Sequence, residues 1–150
     1  MNSTQFTTGH IGLNVSDLSR SKQFYQRVFG FDVIGESKDE RRAFAFLGQD
    51  QKLVLTLWQQ SDGAFVTNRP GLHHLSFHVD SISQVEDAER RLREIGAVIH
   101  HGGIVPHREG VDSGGVFFED PDGIRLEILT PAGAGANQAP YGKAPTCGFF

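Results

Sequence analysis

Cysteine is nearly missing from this chain. Cys147 is the only one in 150 residues, so an internal disulfide is excluded and the fold has to be held by its core. Long apolar runs are missing too: nothing approaches the ~20 residues of a membrane-spanning helix. The stretch 1–9 has no basic region followed by an apolar one, so no secretory leader is expected and the reading is a cytoplasmic protein. Nor is there a marked charge of one sign. A formal net charge of −4 gives no reason to expect nucleic acid or an anionic membrane as partner, and so small an excess says little about a substrate. What remains is an ordinary globular composition, 38% hydrophobic and 21% charged, in a chain long enough for one domain with a real core.

The chain reads twice. Thr8-Gly-His-Ile-Gly-Leu-Asn-Val-Ser-Asp has a counterpart in Leu72-His-His-Leu-Ser-Phe-His-Val-Asp-Ser. In the first, Ile11, Leu13 and Val15 alternate with His10, Gly12 and Asn14; in the second, Leu75, Phe77 and Val79 alternate with His74, Ser76 and His78. A period of two with one apolar face predicts half-buried strands. Each is followed by a helix, capped by Ser16 or Asp17 in the first copy and by Asp80 or Ser81 in the second. Leu18, Ser21, Tyr25 and Val28 are expected to face inward from one, and Val85, Ala88, Leu92 and Ile95 from the other. Gly30 and Gly96 stand where a left-handed helix cap needs glycine.

Three strand candidates follow each helix: Phe31–Gly35, Arg42–Leu47 and Lys52–Trp58, then Ala97–His101, Gly115–Glu119 and Ile124–Thr130. The order is βαβββ twice, with modules at about 6–60 and 72–130 inside a domain spanning 1–130. Gly102–Gly114 reads as a long irregular loop. From Pro131 onward Ala, Gly and Pro dominate, which predicts a flexible tail over 131–150.

Seven histidines alone do not argue for a metal, but His10 and His74 hold the same place in both copies. Glu127 sits in Gly123-Ile-Arg-Leu-Glu-Ile-Leu-Thr, a carboxylate among apolar neighbours where an unpaired charge is costly to bury. A metal compensates it, as would a cation such as Arg125. Alternation puts His74, not His73, on the polar face; His73 is assigned a structural or rim role and His78 a strand-end position. His100, His101 and His107 fall near the long loop, with His107 able to approach a substrate.

A histidine opening each module and the run Asp120-Pro-Asp-Gly-Ile-Arg-Leu-Glu127 resemble the vicinal oxygen chelate superfamily, the glyoxalase, bleomycin resistance and extradiol dioxygenase group. The resemblance implies an α+β fold in which two βαβββ modules form a curled mixed sheet around a cavity. It implies a divalent metal (Fe, Mn, Ni, Co or Zn) on His10, His74 and Glu127, and a homodimer. Two histidines and one carboxylate leave coordination positions open for neighbouring oxygens of a substrate. The alternative is a non-catalytic, bleomycin-resistance-like binding protein, with aromatics such as Phe44, Phe46 and Trp58 lining its cavity.

The departures from the family bear on the reaction. Glyoxalase I and methylmalonyl-CoA epimerase use a further oxygen ligand where this chain has Thr56, a poor ligand and a poor base. Dioxygenases and fosfomycin thiol transferases carry a tyrosine where this chain has Phe117. The dioxygenase pattern wants an upstream histidine, and His107 comes one residue too early. His107 and Thr56 are therefore the weak catalytic candidates, and the choice between lyase and dioxygenase chemistry stays open.

Overall fold

The computed structural model describes residues 3–150. Residues 1 and 2, part of the stretch read for a leader, lie outside the described residues. The chain divides into two compact units, the first running to Gly63 and the second from Ala64 to Phe150.

The first unit is β1 (Ile11–Val15), α1 (Leu18–Phe29), β2 (Asp32–Ser37), β3 (Phe44–Gln49) and β4 (Lys52–Gln59). Its sheet has the order β1-β4-β3-β2, with β1 parallel to β4 and the other pairs antiparallel. Asp17 is the N-cap of α1, its carboxylate accepting the Arg20 N–H at 2.9 Å. Gly30 closes the helix at φ 70°. The buried face is the expected Leu18, Ser21, Tyr25 and Val28 together with Phe24. Asp50 and Gln51, both at positive φ, make the two-residue turn between β3 and β4, the turn form whose twist suits a hairpin.

The second unit repeats the plan: β5 (Leu75–His78), α2 (Ile82–Glu94), β6 (Val105–Pro106), β7 (Gly114–Glu119) and β8 (Arg125–Thr130), in the order β5-β8-β7-β6. Ser81 is the N-cap of α2, and the Gln84 side chain accepts the Ser81 and Asp80 N–H groups at 3.1 and 3.0 Å. Val85, Ala88 and Leu92 are buried as expected, against β7 and β8. Two mixed four-stranded sheets with two helices, neither closed into a barrel, confirm the α+β reading of paired βαβββ modules.

The duplication holds in register. Gly12, two residues after His10, pairs with Thr56; Ser76, two residues after His74, pairs with Glu127. Thr56 and Glu127 are therefore equivalent positions of the two sheets.

Two expectations are corrected. Ala97–His101 is not a strand: only Ile99 bridges, to Phe118, and a single 3-10 turn follows at His100–Gly102. His101, Gly102 and Gly103 take φ of 58°, 77° and 147°, and three positive values in succession end an extended course. The edge strand is instead β6, inside the segment read as an irregular loop. Segment 131–150 is not free either. It belongs to the second unit, where Ala134 N–H donates to Asp112 O at 2.9 Å and Thr146 N–H to His107 O at 2.8 Å. Thr146 is fully buried and its hydroxyl donates to Pro106 O at 2.8 Å. Composition predicted mobility, but these long-range bonds have no signature in it. Hydrogen exchange checks this: the Thr146 and Ala134 amides should exchange at least about tenfold slower than an unstructured segment.

Candidate functional site

The centre of the second unit's polar face is Glu127, a fully buried carboxylate at 2% exposure. Its position is set by the turn ahead of it. Asp120 accepts the N–H groups of Asp122 and Ile124, both at 2.9 Å, and Gly123 at φ 83° reverses the chain. That turn starts β8 in the register that places Glu127 opposite Phe117 on one side and Ser76 on the other. Leu126 and Ile128, of opposite alternation, are buried on the α2 side.

Two imidazoles meet the carboxylate. His107 Nε2 lies 2.6 Å from Oε1, and His74 Nε2 lies 3.9 Å from Oε2. His107 Nδ1 is in turn 2.9 Å from the Ser113 hydroxyl, so both ring nitrogens are engaged and the ring is oriented. With its proton on Nε2, His107 donates to Glu127 and accepts from Ser113. His74 Nδ1 lies 2.8 Å from His73 Nδ1, leaving Nε2 turned to the carboxylate. Burial lowers the pKa of His74 against the opposing pull of Glu127, with the neighbouring His73 and Arg125 lowering it further. Its neutral form, the form that ligates metals, is thereby favoured.

The donor set fits a divalent ion in part. At bond lengths of ~2.0–2.2 Å to each atom, a nitrogen and an oxygen 3.9 Å apart are both within reach of one ion. Glu127 would keep its other oxygen bonded to His107, the outer-partner arrangement common for ligating carboxylates. Among the described residues, no three His, Cys, Asp or Glu side chains stand at the spacing of a formed metal cluster. His10 belongs to the first unit, exposed, one residue before β1.

His107 is better placed than its sequence context implied. The short β6–β7 pairing, Pro106 to Gly114, folds the segment back and brings His107 to Ser113 and Glu127. Val105-Pro106 ahead of it and Gly114-Gly115 behind were the faint sequence signal for that hairpin. His73 and His78 are exposed, as a rim and a strand-end residue would be. His100 and His101 are half-buried, with His100 Nε2 3.0 Å from the Glu119 carboxylate. Cys147 lies in the field of Glu127, and burial first, then that charge, raises its thiol pKa.

In the first unit Thr56 is buried at 2% exposure, and its hydroxyl accepts from Trp58 Nε1 at 3.0 Å. The same hydroxyl donates to Ile11 O at 3.5 Å. Phe44, Phe46 and Trp58 cluster beside it, with ring centroids 4.8 to 5.9 Å apart. A cavity of about 200 Å³ lies against Phe44, Trp58, Arg41 and Arg42.

Duplicated βαβββ units, each a mixed four-stranded sheet with one helix, are the fold that the resemblance of the opening histidines and the Asp120–Glu127 run implied. The family model of the Glyoxalase/Bleomycin resistance protein/Dioxygenase superfamily matches residues 7–128, and the chain belongs to that superfamily. It is 32% identical over 123 residues to a catechol-2,3-dioxygenase of Bacillus subtilis, covering 80% of this chain and 40% of that protein. It is 30% identical over 125 residues to a lactoylglutathione lyase of Neisseria meningitidis, covering 80% of this chain and 87% of that one. Among solved structures it is similar to a glyoxylase/bleomycin resistance protein/dioxygenase domain from Frankia sp. EAN1pec, with TM-score 0.72 and 27% identity, covering 85% of this chain and 99% of that one.

Proposed function

We propose that this protein is a metal-dependent enzyme of the superfamily, a lyase or dioxygenase, whose divalent metal is held by His74 and Glu127 and chelates neighbouring oxygens of a small substrate. The observation that carries this reading is Glu127: a carboxylate at 2% exposure, with one oxygen held by His107 and the other facing the His74 nitrogen at 3.9 Å. When bound, the metal supplies Lewis-acid polarisation of the substrate oxygens. The chain's own residues do the rest. His107 orients Glu127 and keeps a proton at Nε2 beside the site, and Ser113 fixes the ring that holds it. Relatives named as a dioxygenase and as a lyase support enzyme chemistry of this kind.

The test is metal content of protein purified with and without added metal. His74→Ala should lose the ion with the fold intact, whereas His73→Ala should keep it. The opposite pattern would reverse the face assignment of β5. Metal-loaded protein should then turn over one of three substrate types: catechols with Fe(II), thiol hemiacetals with Ni(II) or Zn(II), or fosfomycin with a thiol and Mn(II). Absence of turnover, and of any spectral change with bidentate oxygen ligands, would favour the second reading, a non-catalytic binder. That reading draws on the Phe44, Phe46 and Trp58 cluster.

In the first reading the working species is a homodimer with a small molecule as its substrate. Sedimentation at micromolar concentration should show the dimer, and a monomer alone would remove it.

A further inference from the structure

Segment 131–150 ends against the histidine–carboxylate site of its own unit. The Phe150 ring centroid is 5.6 Å from that of His74, 5.4 Å from His100 and 5.5 Å from Phe117, and the Arg125 guanidinium lies 5.4 Å from it. Three of these residues neighbour Glu127: His74 faces it, Phe117 is its cross-strand neighbour, and Arg125 precedes it by two on the same strand.

The approach to this end is firmly tied. Glu109 N–H donates to Gly142 O, Thr146 is fully buried between two hydrogen bonds, and Tyr141 stacks near Phe149 and His101. The Phe150 side chain packs against rings and a cation, and the residue is half-buried. A root held by hydrogen bonds and a part held by ring contacts make a cover whose ring-packed part opens at lower cost than its root.

We propose that residues 141–150 form a strap over this site, anchored at Thr146, with Phe150 shielding His74, and that ligands gain access to His74 and Glu127 when the Phe150 ring lifts. The proposal rests on the reading of these two residues as a ligand site, but its test does not need a bound metal.

Diethyl pyrocarbonate modification of the full chain without added metal, resolved histidine by histidine by mass spectrometry, reads the shielding directly. Losing the aromatic contacts of one ring shifts an opening equilibrium by up to about tenfold, so Phe150→Ala should speed modification of His74 by about that factor. His78, an exposed residue at the far end of β5, should keep its rate. Thr146→Val, which loses the hydroxyl bond to Pro106, should act in the same direction; Thr146→Ser, which keeps the hydroxyl, should stay near the wild type. An unchanged His74 rate in Phe150→Ala would overturn the strap, as would a rise of all histidines together. Metal content of the wild type separates the two readings. A chain that binds no metal yet unmasks His74 in Phe150→Ala keeps the strap and loses the metal site. One that binds metal with His74 equally reactive in both forms does the reverse.

Discussion

Glu127→Gln should abolish tight metal binding, lowering affinity by more than about a hundredfold, because a neutral amide replaces the anionic ligand at nearly the same shape. The substitution is chosen for its conservatism. A glutamine carbonyl can still accept from His107 Nε2, where the carboxylate oxygen lies 2.6 Å away, so the local packing is retained. His107→Gln makes the graded comparison. Loss of an outer partner that orients a ligand typically costs about 10–100-fold in metal affinity, which is the range expected here. Competition against a chromogenic chelator measures both, with circular dichroism confirming the fold. If Glu127→Gln holds metal as tightly as the wild type, Glu127 is not a ligand, and the buried carboxylate serves only its hydrogen bond to His107.

The second large effect is structural and falls on Gly115. A Cβ at this position would lie 2.0 Å from Ile128 O and 2.9 Å from Ile128 C, both backbone atoms of the paired strand β8. No side chain can swing away to relieve that contact, so β7 and β8 have to separate. Gly115→Ala should destabilise the protein by about 3 kcal/mol or more, a size reserved for disrupted cores and ladders. In a chain of this length that lowers the melting temperature by roughly 6–12 °C. Gly63→Ala, where an added Cβ meets nothing within 4 Å, should leave it unchanged. Thermal melts followed by circular dichroism decide it. A melting point for Gly115→Ala equal to that of the wild type would mean that the β7–β8 register is not the one described.

The same register explains which parts of the site could be read beforehand. Glu127 stood out because a carboxylate interrupts an apolar strand, a cost visible within eight residues. His74 stood out because alternation separates it from His73, and the 3.9 Å approach of His74 to Glu127 agrees with that face assignment. His107 stood out only as a weak candidate near the long loop, and not as a partner of Glu127. Its place depends on Val105 and Pro106 pairing with Gly115 and Gly114, a two-residue strand too short to carry a period. The strand expected over Ala97–His101 failed for a local reason that sequence hides: His101 adopts a left-handed backbone, which a non-glycine residue seldom does.

The sequence by itself determined α1 and α2, from helical spacing and caps, the strands opening each unit, from alternation, and the repetition of the plan. These are short-range preferences, written within a few neighbours and so legible there. Only the tertiary structure decided that His107 and Ser113 support Glu127, that Thr56 is occupied by Trp58, and that Phe150 lies against His74 from the far end of a glycine- and proline-rich segment. The contacts of Glu127 with His107 and His74, and of His74 with Phe150, join residues separated by twenty or more positions. Their energies come from burying a charge and packing rings, and depend on which surfaces the folded chain brings together.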